Sequence, residues 1–356
     1  MQNPYTQVTA INRVEQPIVS DMRRVWRTSK AGAISRLTLL EESLPELADD
    51  EIRVDVKAVG LNFADIFALT GLYSATPKGS FIPGLEYSGI VSKVGSDCKR
   101  FKLGDRIMAV SRFGGYASKV QSNEDYLIAL PTDWSFAQGA AYLTQTLTAW
   151  YALNDLGALK SGQDVLIQSA AGGVGLQAMK LIRALGANPI GTVSSQKKVE
   201  FLQVLGFEAW QREPSFKAQL AKKQQTFDLV LDAIGGEVQQ ASFNALKPMG
   251  RLVVFGAAEF TPGKNRPNYL KAAWQYLRRP KYDVLDMISD NRSVMAFNLI
   301  WLWDQVALMK ELLQKMMAVE ISPPHVGHEF TFEQAHEAID CLRSGKTIGK
   351  VVLLVD

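Results

Sequence analysis

The residue types that bind soft metals and form disulfides are scarce in this chain. Its 356 residues include two cysteines, Cys98 and Cys341, and only three histidines. Two cysteines are too few for a disulfide framework or for a zinc lobe with four thiolate ligands. No apolar run approaches the ~18 residues of a membrane span. Residues 1–25 lack the apolar core of an export signal, so we expect a polar arm there and a cytoplasmic protein.

An excess of one charge is also missing. Lys and Arg number 39 against 36 for Asp and Glu, which gives a net charge of +3. Nucleic-acid-binding domains usually carry a much stronger basic excess, so that class is disfavoured. The length suggests about two domains of ~150 residues.

The pattern of apolar residues changes part-way along the chain. The first 130 residues contain short predicted strands separated by glycine turns, of which residues 51–59 alternate best; this favours a small barrel or twisted sheet. A long apolar helix is predicted over residues 136–153. Strands and helices then alternate from residue 165 to residue 255, which indicates a doubly wound parallel sheet.

We therefore predict an α/β protein in which a β-rich catalytic domain is interrupted by a nucleotide-binding domain. The expected boundaries are residues 1–142 for the first part of the catalytic domain, with its N-terminal arm, and residues 143–297 for the nucleotide-binding domain. Residues 298–356 should then return to the catalytic domain through an apolar terminal strand at 350–355.

A glycine-rich turn between a predicted strand and a predicted helix is the strongest motif. It reads Ala170-Ala171-Gly172-Gly173-Val174-Gly175. In a βαβ unit, such a turn places helix N-terminal amides and the helix dipole against a pyrophosphate. We expect Ala171, Gly172, Gly173, Val174 and Gly175 to bind a dinucleotide cofactor.

The segment after the next strand predicts which dinucleotide is bound. NAD-binding proteins carry an acidic residue about 20 positions beyond the glycine turn. Here the chain has Ser194, Ser195 and Lys198 and no carboxylate. Hydroxyls and a cation suit a 2′-phosphate, so we predict NADPH as the cofactor. A solvated helix start is the alternative interpretation.

Several motifs together resemble the medium-chain dehydrogenase/reductase superfamily. They are the segments 60–65 (GLNFAD), 83–89 (PGLEYSG) and 345–350 (GKTIGK), with the glycine-rich turn. Within it the chain looks most like the zinc-independent quinone oxidoreductase branch, which includes zeta-crystallin. Residues 267–299 also resemble the vesicle amine transport protein subgroup. The resemblance implies a GroES-like domain and a Rossmann domain with the cofactor between them, in a homodimer.

The resemblance also bears on zinc. Zinc-dependent relatives have Gly-His-Glu where this chain has Gly84-Leu85-Glu86, so an aliphatic side chain replaces an imidazole ligand. The pair His325 and His328 has no third ligand nearby in sequence, and a catalytic zinc needs three. We predict no metal site. Without a metal, a conjugated carbonyl or quinone is a better hydride acceptor than a simple alcohol.

By resemblance, three residues of the first domain line the catalytic cleft. Asn62 would donate to a developing oxyanion, and Tyr73 would position substrate or donate a proton. Asp65 would either act in the cleft or cap a helix. Tyr73 could instead serve only in packing.

Five further residues are expected at the cofactor. Thr144 resembles a position near the nicotinamide, although its hydroxyl could instead bond to its own helix. Arg212 would replace a phosphate-binding tyrosine, at whose position Gln211 stands. The others are Phe255, Asn298 and Lys350.

The segment 264–281 contains six basic residues, no acidic residue and three interleaved aromatics. A solvated helix face explains it, as would an anionic substrate tail such as coenzyme A, a membrane surface or RNA. The predicted function is a metal-free, NADPH-dependent reductase of a quinone or α,β-unsaturated carbonyl. The alternatives are a trans-enoyl thioester reductase, and an NADPH-binding regulatory or membrane- or RNA-associated protein with little catalysis.

Overall fold

The computed structural model describes residues 21–356, so most of the expected N-terminal arm lies outside the described residues. The first strand begins at Met22. No helix within residues 21–356 is long and apolar enough to cross a membrane. Cys98 and Cys341 are both free thiols.

The first domain is a β-rich unit, as predicted. Its strands are β1 (Met22–Thr28), β2 (Leu37–Ser43), β3 (Glu51–Gly60), β4 (Glu86–Val94), β5 (Arg106–Val110), β6 (Lys119–Asn123) and β7 (Leu127–Ala129). β1 and β2 form a two-stranded ribbon, and β3, β4, β5 and β7 adjoin in the larger sheet, with β6 also paired to β3. Alternate residues Ile52, Val54 and Val56 of β3 are buried, which explains why the period-two pattern there was readable. Helix α1 (Phe63–Thr70) follows β3 directly.

The second domain is a doubly wound parallel sheet, which confirms the predicted fold class. Its strands are β8 (Asp164–Gln168), β9 (Asn188–Val193), β10 (Glu208–Gln211), β11 (Phe227–Asp232), β12 (Leu246–Val254) and β13 (Ser293–Ala296), in the order β10-β9-β8-β11-β12-β13. The helices are α4 (Gly173–Ala184), α5 (Gln196–Val204), α6 (Phe216–Lys223), α7 (Gly236–Asn244), α8 (Tyr269–Leu277) and α9 (Val284–Asp290). The central strands β8 and β11 are buried almost throughout, as expected for a sheet covered on both faces.

The single helix predicted over residues 136–153 is wrong. The chain forms α2 (Phe136–Gly139), then α3 (Leu143–Trp150), and finally a π-helical turn at Tyr151–Leu156. The break after α2 brings the Ala140 carbonyl so close to Gly60 that a Cβ on Gly60 would lie 2.0 Å from it. This contact between backbones fixes the start of the second domain against β3, and an apolar pattern alone carries no signal of it.

The C-terminal segment serves both domains. Helix α10 (Val306–Met317) buries Met309, Leu312 and Met316 in the cluster that also contains residues of α3 and α4. After it come β14 (Val326–Thr331), α11 (Ala335–Arg343) and β15 (Lys350–Leu354). β15 pairs antiparallel with β3 and parallel with β14, so the terminal strand lies in the sheet that contains β3. The residue boundaries 142/143 and 297/298 stay predictions.

Candidate active site

A cleft of about 1140 Å³ lies between the two domains. Its walls come from α1 and the loop after it, the start of α3, the glycine-rich turn, the ends of β9 and β12, and α8. In open α/β sheets, ligands bind in the crevice beyond the carboxyl ends of the strands. The cleft occupies that place, and it is the candidate active site.

The glycine-rich turn opens helix α4 at the floor of the cleft. Ser169, just after β8, adopts a left-handed φ of 56°, and the N-cap residue Gly172 has no side chain to cap the first amides. A Cβ on Gly175 would lie 2.5 Å from the Ser169 carbonyl, so only glycine permits this close packing. All of the predicted residues from Ala171 to Gly175 line the cleft. An uncapped helix start of this kind attracts an anion.

Two half-buried cations stand at one end of the cleft. Lys198 donates to the Gly345 carbonyl (2.7 Å), and Arg212 donates to Gln168 Oε1 (3.3 Å). Both partners are neutral. Burial, and then the charge of Arg212, lower the pKa of Lys198; burial also lowers the pKa of Arg212. The buried Asp232 carboxylate also acts on Arg212 through its charge, but neither of these bonds involves a carboxylate, and two such cations are suited to bind a phosphate.

The two predicted serines behave differently. Ser194 lines the cleft beside Lys198, whereas Ser195 is absent from the cleft-lining residues and precedes α5 as its N-cap. Gln168 was not predicted. It bonds both to Arg212 and to Thr192, and no sequence signal pointed to a glutamine at the end of the first nucleotide-binding strand.

A buried polar cluster forms the wall that joins the domains. Lys350 Nζ donates to Glu86 Oε1 (2.6 Å) and to Asn62 Oδ1 (2.8 Å). Asn62 Nδ2 in turn donates to Glu86 Oε1 (3.1 Å) and to the Gly60 carbonyl (3.3 Å). The other carboxylate oxygen of Glu86 accepts the backbone N–H of Thr144 (3.1 Å). The cluster therefore links the first domain, the terminal strand and α3.

Glu86 was missed as a site residue, although it stands in the Gly84-Leu85-Glu86 segment. Asn62 lies in the cleft as predicted, but its amide hydrogens are directed to Glu86 and Gly60. A role of Asn62 as oxyanion donor stays a prediction. Lys350 also reaches the cleft, while its ammonium group is held by the two side chains of this cluster.

Asp65 lies behind the cleft wall and not among the cleft-lining residues. It completes a capping box at the start of α1 with Asn62. Its carboxylate accepts the N–H groups of Asn62 (2.8 Å) and Gly84 (3.1 Å) and the hydroxyl of Tyr116 (3.2 Å). Complete burial raises the pKa of Asp65 to about 7 despite these donors. Of the two roles considered from the sequence, this geometry matches the helix cap.

Tyr73 and Asn298 meet in the cleft although they are 225 residues apart in sequence. The Tyr73 hydroxyl donates to Asn298 Oδ1 at 2.7 Å, and its ring packs edge-on against Phe113. Burial raises the pKa of Tyr73 to about 12, so the phenol keeps its proton at neutral pH. Asn298 Oδ1 also accepts the Ile300 amide, which fixes the direction of the acceptor.

Apolar side chains also line the cleft. Leu85 lines the cleft at the position where zinc-dependent relatives would have histidine. Phe255 lies in the cleft as predicted and packs near Phe297. Within residues 21–356, no group of three or more His, Cys, Asp or Glu side chains could hold a metal ion.

The cleft also contains an unused polar atom. Thr144 Oγ1 is buried and has no hydrogen-bond partner within the described residues, although a helical threonine could have bonded to its own backbone. A buried hydroxyl without a partner is costly and calls for an explanation, such as a group that binds there. With the open helix start and the two cations, this atom fits a nicotinamide dinucleotide.

Two family models match the chain. The alcohol dehydrogenase GroES-like domain matches residues 48–148, and a zinc-binding dehydrogenase model matches residues 208–353. A quinone oxidoreductase of Pseudomonas aeruginosa is 32% identical over 283 residues, which cover 77% of this chain and 86% of that protein. This chain belongs to the medium-chain dehydrogenase/reductase family.

A second group of relatives carries a different name. The synaptic vesicle membrane protein VAT-1 homolog of Danio rerio is 30% identical over 323 residues. These residues cover 89% of this chain, which spans 66% of that relative's length. The family therefore includes relatives named as enzymes and relatives named as membrane proteins.

Solved structures agree with the fold. The quinone oxidoreductase of Thermus thermophilus, described with its NADPH complex, has a TM-score of 0.77 and 30% identity, covering 93% of this chain and 99% of its own. The CurK enoyl reductase has a TM-score of 0.77 and 25% identity, covering 94% of this chain and 100% of its own. Membership of this oxidoreductase family and a nicotinamide cofactor follow from these comparisons.

Proposed function

We propose that this protein is an NADPH-dependent reductase that transfers hydride to a quinone or an α,β-unsaturated carbonyl without a metal ion. The observation that carries the proposal is the two-ended cleft. One end has an open helix start and two cations bonded only to neutral oxygens. The other end is apolar and contains the Tyr73–Asn298 pair.

Different residues of the cleft would bind different parts of the cofactor. The amides at the start of α4, from Gly172 to Gly175, would hold the pyrophosphate. Lys198 and Arg212, with the Ser194 hydroxyl, would hold the 2′-phosphate, because the acidic residue typical of NAD sites is missing there and two cations are present. The free Thr144 hydroxyl would bond the nicotinamide amide. When bound, the reduced nicotinamide supplies the hydride.

The substrate end favours a conjugated acceptor. Leu85 offers no metal ligand, so nothing there polarises a simple alcohol or ketone strongly. A quinone or enone spreads the developing negative charge onto its oxygen and needs only orientation, a hydrogen bond and a proton. Tyr73 supplies the hydrogen bond: its phenol stays protonated at neutral pH and turns from Asn298 to the substrate oxygen, and the proton that completes the reduction comes from solvent water. Asp65 and Lys350 position this wall without touching substrate.

A panel of quinones, alkenals and enones tests the proposal by NADPH oxidation, with NADH in parallel. We expect turnover with at least one class and at least tenfold lower kcat/KM with NADH. A preference for NADH, or no turnover across the panel, would contradict it. Tight NADPH binding without turnover would instead support a regulatory role.

A trans-enoyl thioester reductase is the second candidate. The similarity to the CurK enoyl reductase favours it, and so does the basic segment 264–281, which suits a phosphopantetheine or coenzyme A tail. Assays with crotonyl-coenzyme A separate the candidates: reduction of the thioester without reduction of any quinone would favour this one.

The assembly and location also belong to the proposal. A homodimer through an edge of the six-stranded sheet, where β10 and β13 are the outer strands, is expected, as is a cytoplasmic location. Light scattering tests the first: a monomeric mass at micromolar concentration would contradict it.

A further inference from the structure

Two short helices between β12 and β13 carry apolar side chains that the fold leaves uncovered. Helix α8 exposes Leu270 (86%), Trp274 (57%) and Leu277 (72%), and helix α9 exposes Val284 (67%), Leu285 (73%) and Ile288 (69%). We call these six residues the α8–α9 face. Large apolar groups this exposed on two consecutive helices mark an interaction site rather than an ordinary surface.

Helix α8 has two functional sides. Tyr269, Ala272, Ala273 and Tyr276 line the cleft, and their spacing of three and four places them along one side of the helix. Leu270, Trp274 and Leu277 have the same spacing, about 100° further round the helix. The outer side therefore continues directly from the mouth of the cleft.

One side of helix α9 packs against the protein core. Met287 and the preceding Tyr282 pack against the core cluster that contains Phe243, and the rings of Tyr282 and Phe243 lie 4.8 Å apart. Val284, Leu285 and Ile288 lie on the other side. The exposed apolar side chains of α9 are thus carried by a helix whose other side packs against the protein core.

Cations border the α8 part of the α8–α9 face, whereas the α9 part carries acidic residues. Residues 264–292 include seven basic side chains and three acidic ones. Of the acids, Asp283 caps α9 by accepting the N–H groups of Leu285 and Asp286, and Asp290 pairs with Arg292; the third, Asp286, is exposed on α9 next to Leu285. Lys271 and Arg278 follow the apolar stripe round α8, so the stripe has a cationic border, which is typical of helices that lie in a bilayer interface.

We propose that the α8–α9 face docks on an anionic lipid bilayer and places the mouth of the cleft at the membrane surface. Apolar side chains would enter the headgroup boundary while Lys271, Arg278 and their neighbours contact acidic headgroups. A second copy of this chain is the competing occupant, and the molecular mass measured below tests for it.

This docking deepens the proposed function, on which its substrate consequence rests. A reductase whose cleft opens at a bilayer can take a long-chain quinone or enone directly from the lipid. The aromatic side chains Tyr269 and Tyr276 would then guide the apolar substrate past the two alanines between them. The substrate class is a lipid-dissolved conjugated carbonyl.

Sedimentation with vesicles tests the docking. The probes are vesicles of phosphatidylcholine alone and vesicles with about 30% phosphatidylserine. The variant L270E/L277E removes the apolar stripe, and L270M/L277M is its conservative partner. Leu103 (70% exposed) lies on a loop of the first domain, so Leu103→Glu is the matched control for a new surface charge.

We expect binding to the phosphatidylserine vesicles to fall at least tenfold in L270E/L277E and to be kept in L270M/L277M and Leu103→Glu. Wild-type protein that fails to sediment with these vesicles, or that binds both compositions equally, would overturn the docking. Binding to RNA but not to vesicles would overturn it too, as would a halved molecular mass of L270E/L277E with vesicle binding unchanged.

Activity assays separate the two proposals. With a water-soluble benzoquinone, L270E/L277E should match the wild type, because neither residue lines the cleft. With a long-chain isoprenoid quinone in phosphatidylserine vesicles, its rate should fall at least tenfold. Vesicle binding without oxidation of NADPH by any quinone would refute the reductase and leave the docking supported; equal rates of both proteins on the vesicle quinone would refute the delivery of substrate.

Discussion

Lys350 and Glu86 form an ion pair of 2.6 Å whose side chains are 2% and 1% exposed. The two residues come from the terminal strand and from β4 of the first domain. Asn62 bridges them by accepting from the lysine and donating to the carboxylate. Buried pairs of this kind contribute little when intact but are expensive to break from one side.

Replacement of Lys350 by Met should lower the free energy of unfolding by about 3–5 kcal/mol, because the Glu86 carboxylate is left buried and without its cation. Urea denaturation measures the change. The double variant K350M/E86Q should recover much of the loss, since no buried charge then remains. Equal stabilities of K350M and K350M/E86Q would show that the pair is not coupled.

Replacement of Tyr73 by Phe should lower kcat about 10- to 100-fold, because it removes a hydroxyl that donates a hydrogen bond at the substrate end. KM for NADPH should stay within about twofold. Asn298→Ala should lower kcat as well, and the double variant should be no slower than the worse single variant, as expected for groups that act as a unit. Steady-state kinetics checks this; additive losses would contradict a shared role.

Replacement of Lys198 or Arg212 by Ala should raise KM for NADPH about 10- to 100-fold, since a hydrogen bond to a charged group contributes about 1.5–3 kcal/mol. KM for NADH should hardly change, because it has no 2′-phosphate. Lys197 is exposed beside them and does not line the cleft, so Lys197→Ala is the control. An equal rise in KM for NADPH and NADH would show that the two cations do not bind the 2′-phosphate.

The raised pKa of Asp65 predicts a pH dependence of stability. Its folded pKa is about 7, against an ordinary value of 3.8, so between these values the folded state binds the proton more tightly than the unfolded state. The contribution of Asp65 to the free energy of unfolding therefore falls as the pH rises from about 4 to about 7, with a slope of up to about 1.4 kcal/mol per pH unit. Above pH 7 it no longer changes. Asp65→Asn should remove the slope and the exposed Asp133→Asn should keep it in urea titrations; identical profiles for wild type and Asp65→Asn would refute the shift.

Much of the fold could be predicted because most local sequence patterns indicated one type of secondary structure. The glycine-rich turn followed a buried strand and opened a helix, and this order favours a βαβ unit. The helix over residues 136–153 was wrong because apolar residues on every side look alike to a periodicity argument. Its first break lies where Ala140 contacts Gly60, far away in sequence.

The site was predictable to the extent that it is local. The residues of the turn and Lys198 lie on one segment, and spacing from the turn was enough to find them. The partners of Asn62 are not local: Glu86 and Lys350 reach it from two other strands, and only the assembled sheet brings them together. Asp65 could be read either as a cleft residue or as a cap, and burial behind Asn62 separates the two.

The terminal strand has a consequence for how the protein is made. Asn62 and Lys350, which meet in the finished cleft, are 288 residues apart, and the Gly349 amide bonds the Ala171 carbonyl in the glycine-rich turn. On the ribosome, β3 must therefore wait for almost the whole chain before its neighbour β15 arrives, whereas the parallel sheet can close earlier. A ribosome stalled before residue 345 would carry a nucleotide-binding domain able to form its sheet beside a first domain with one edge still open.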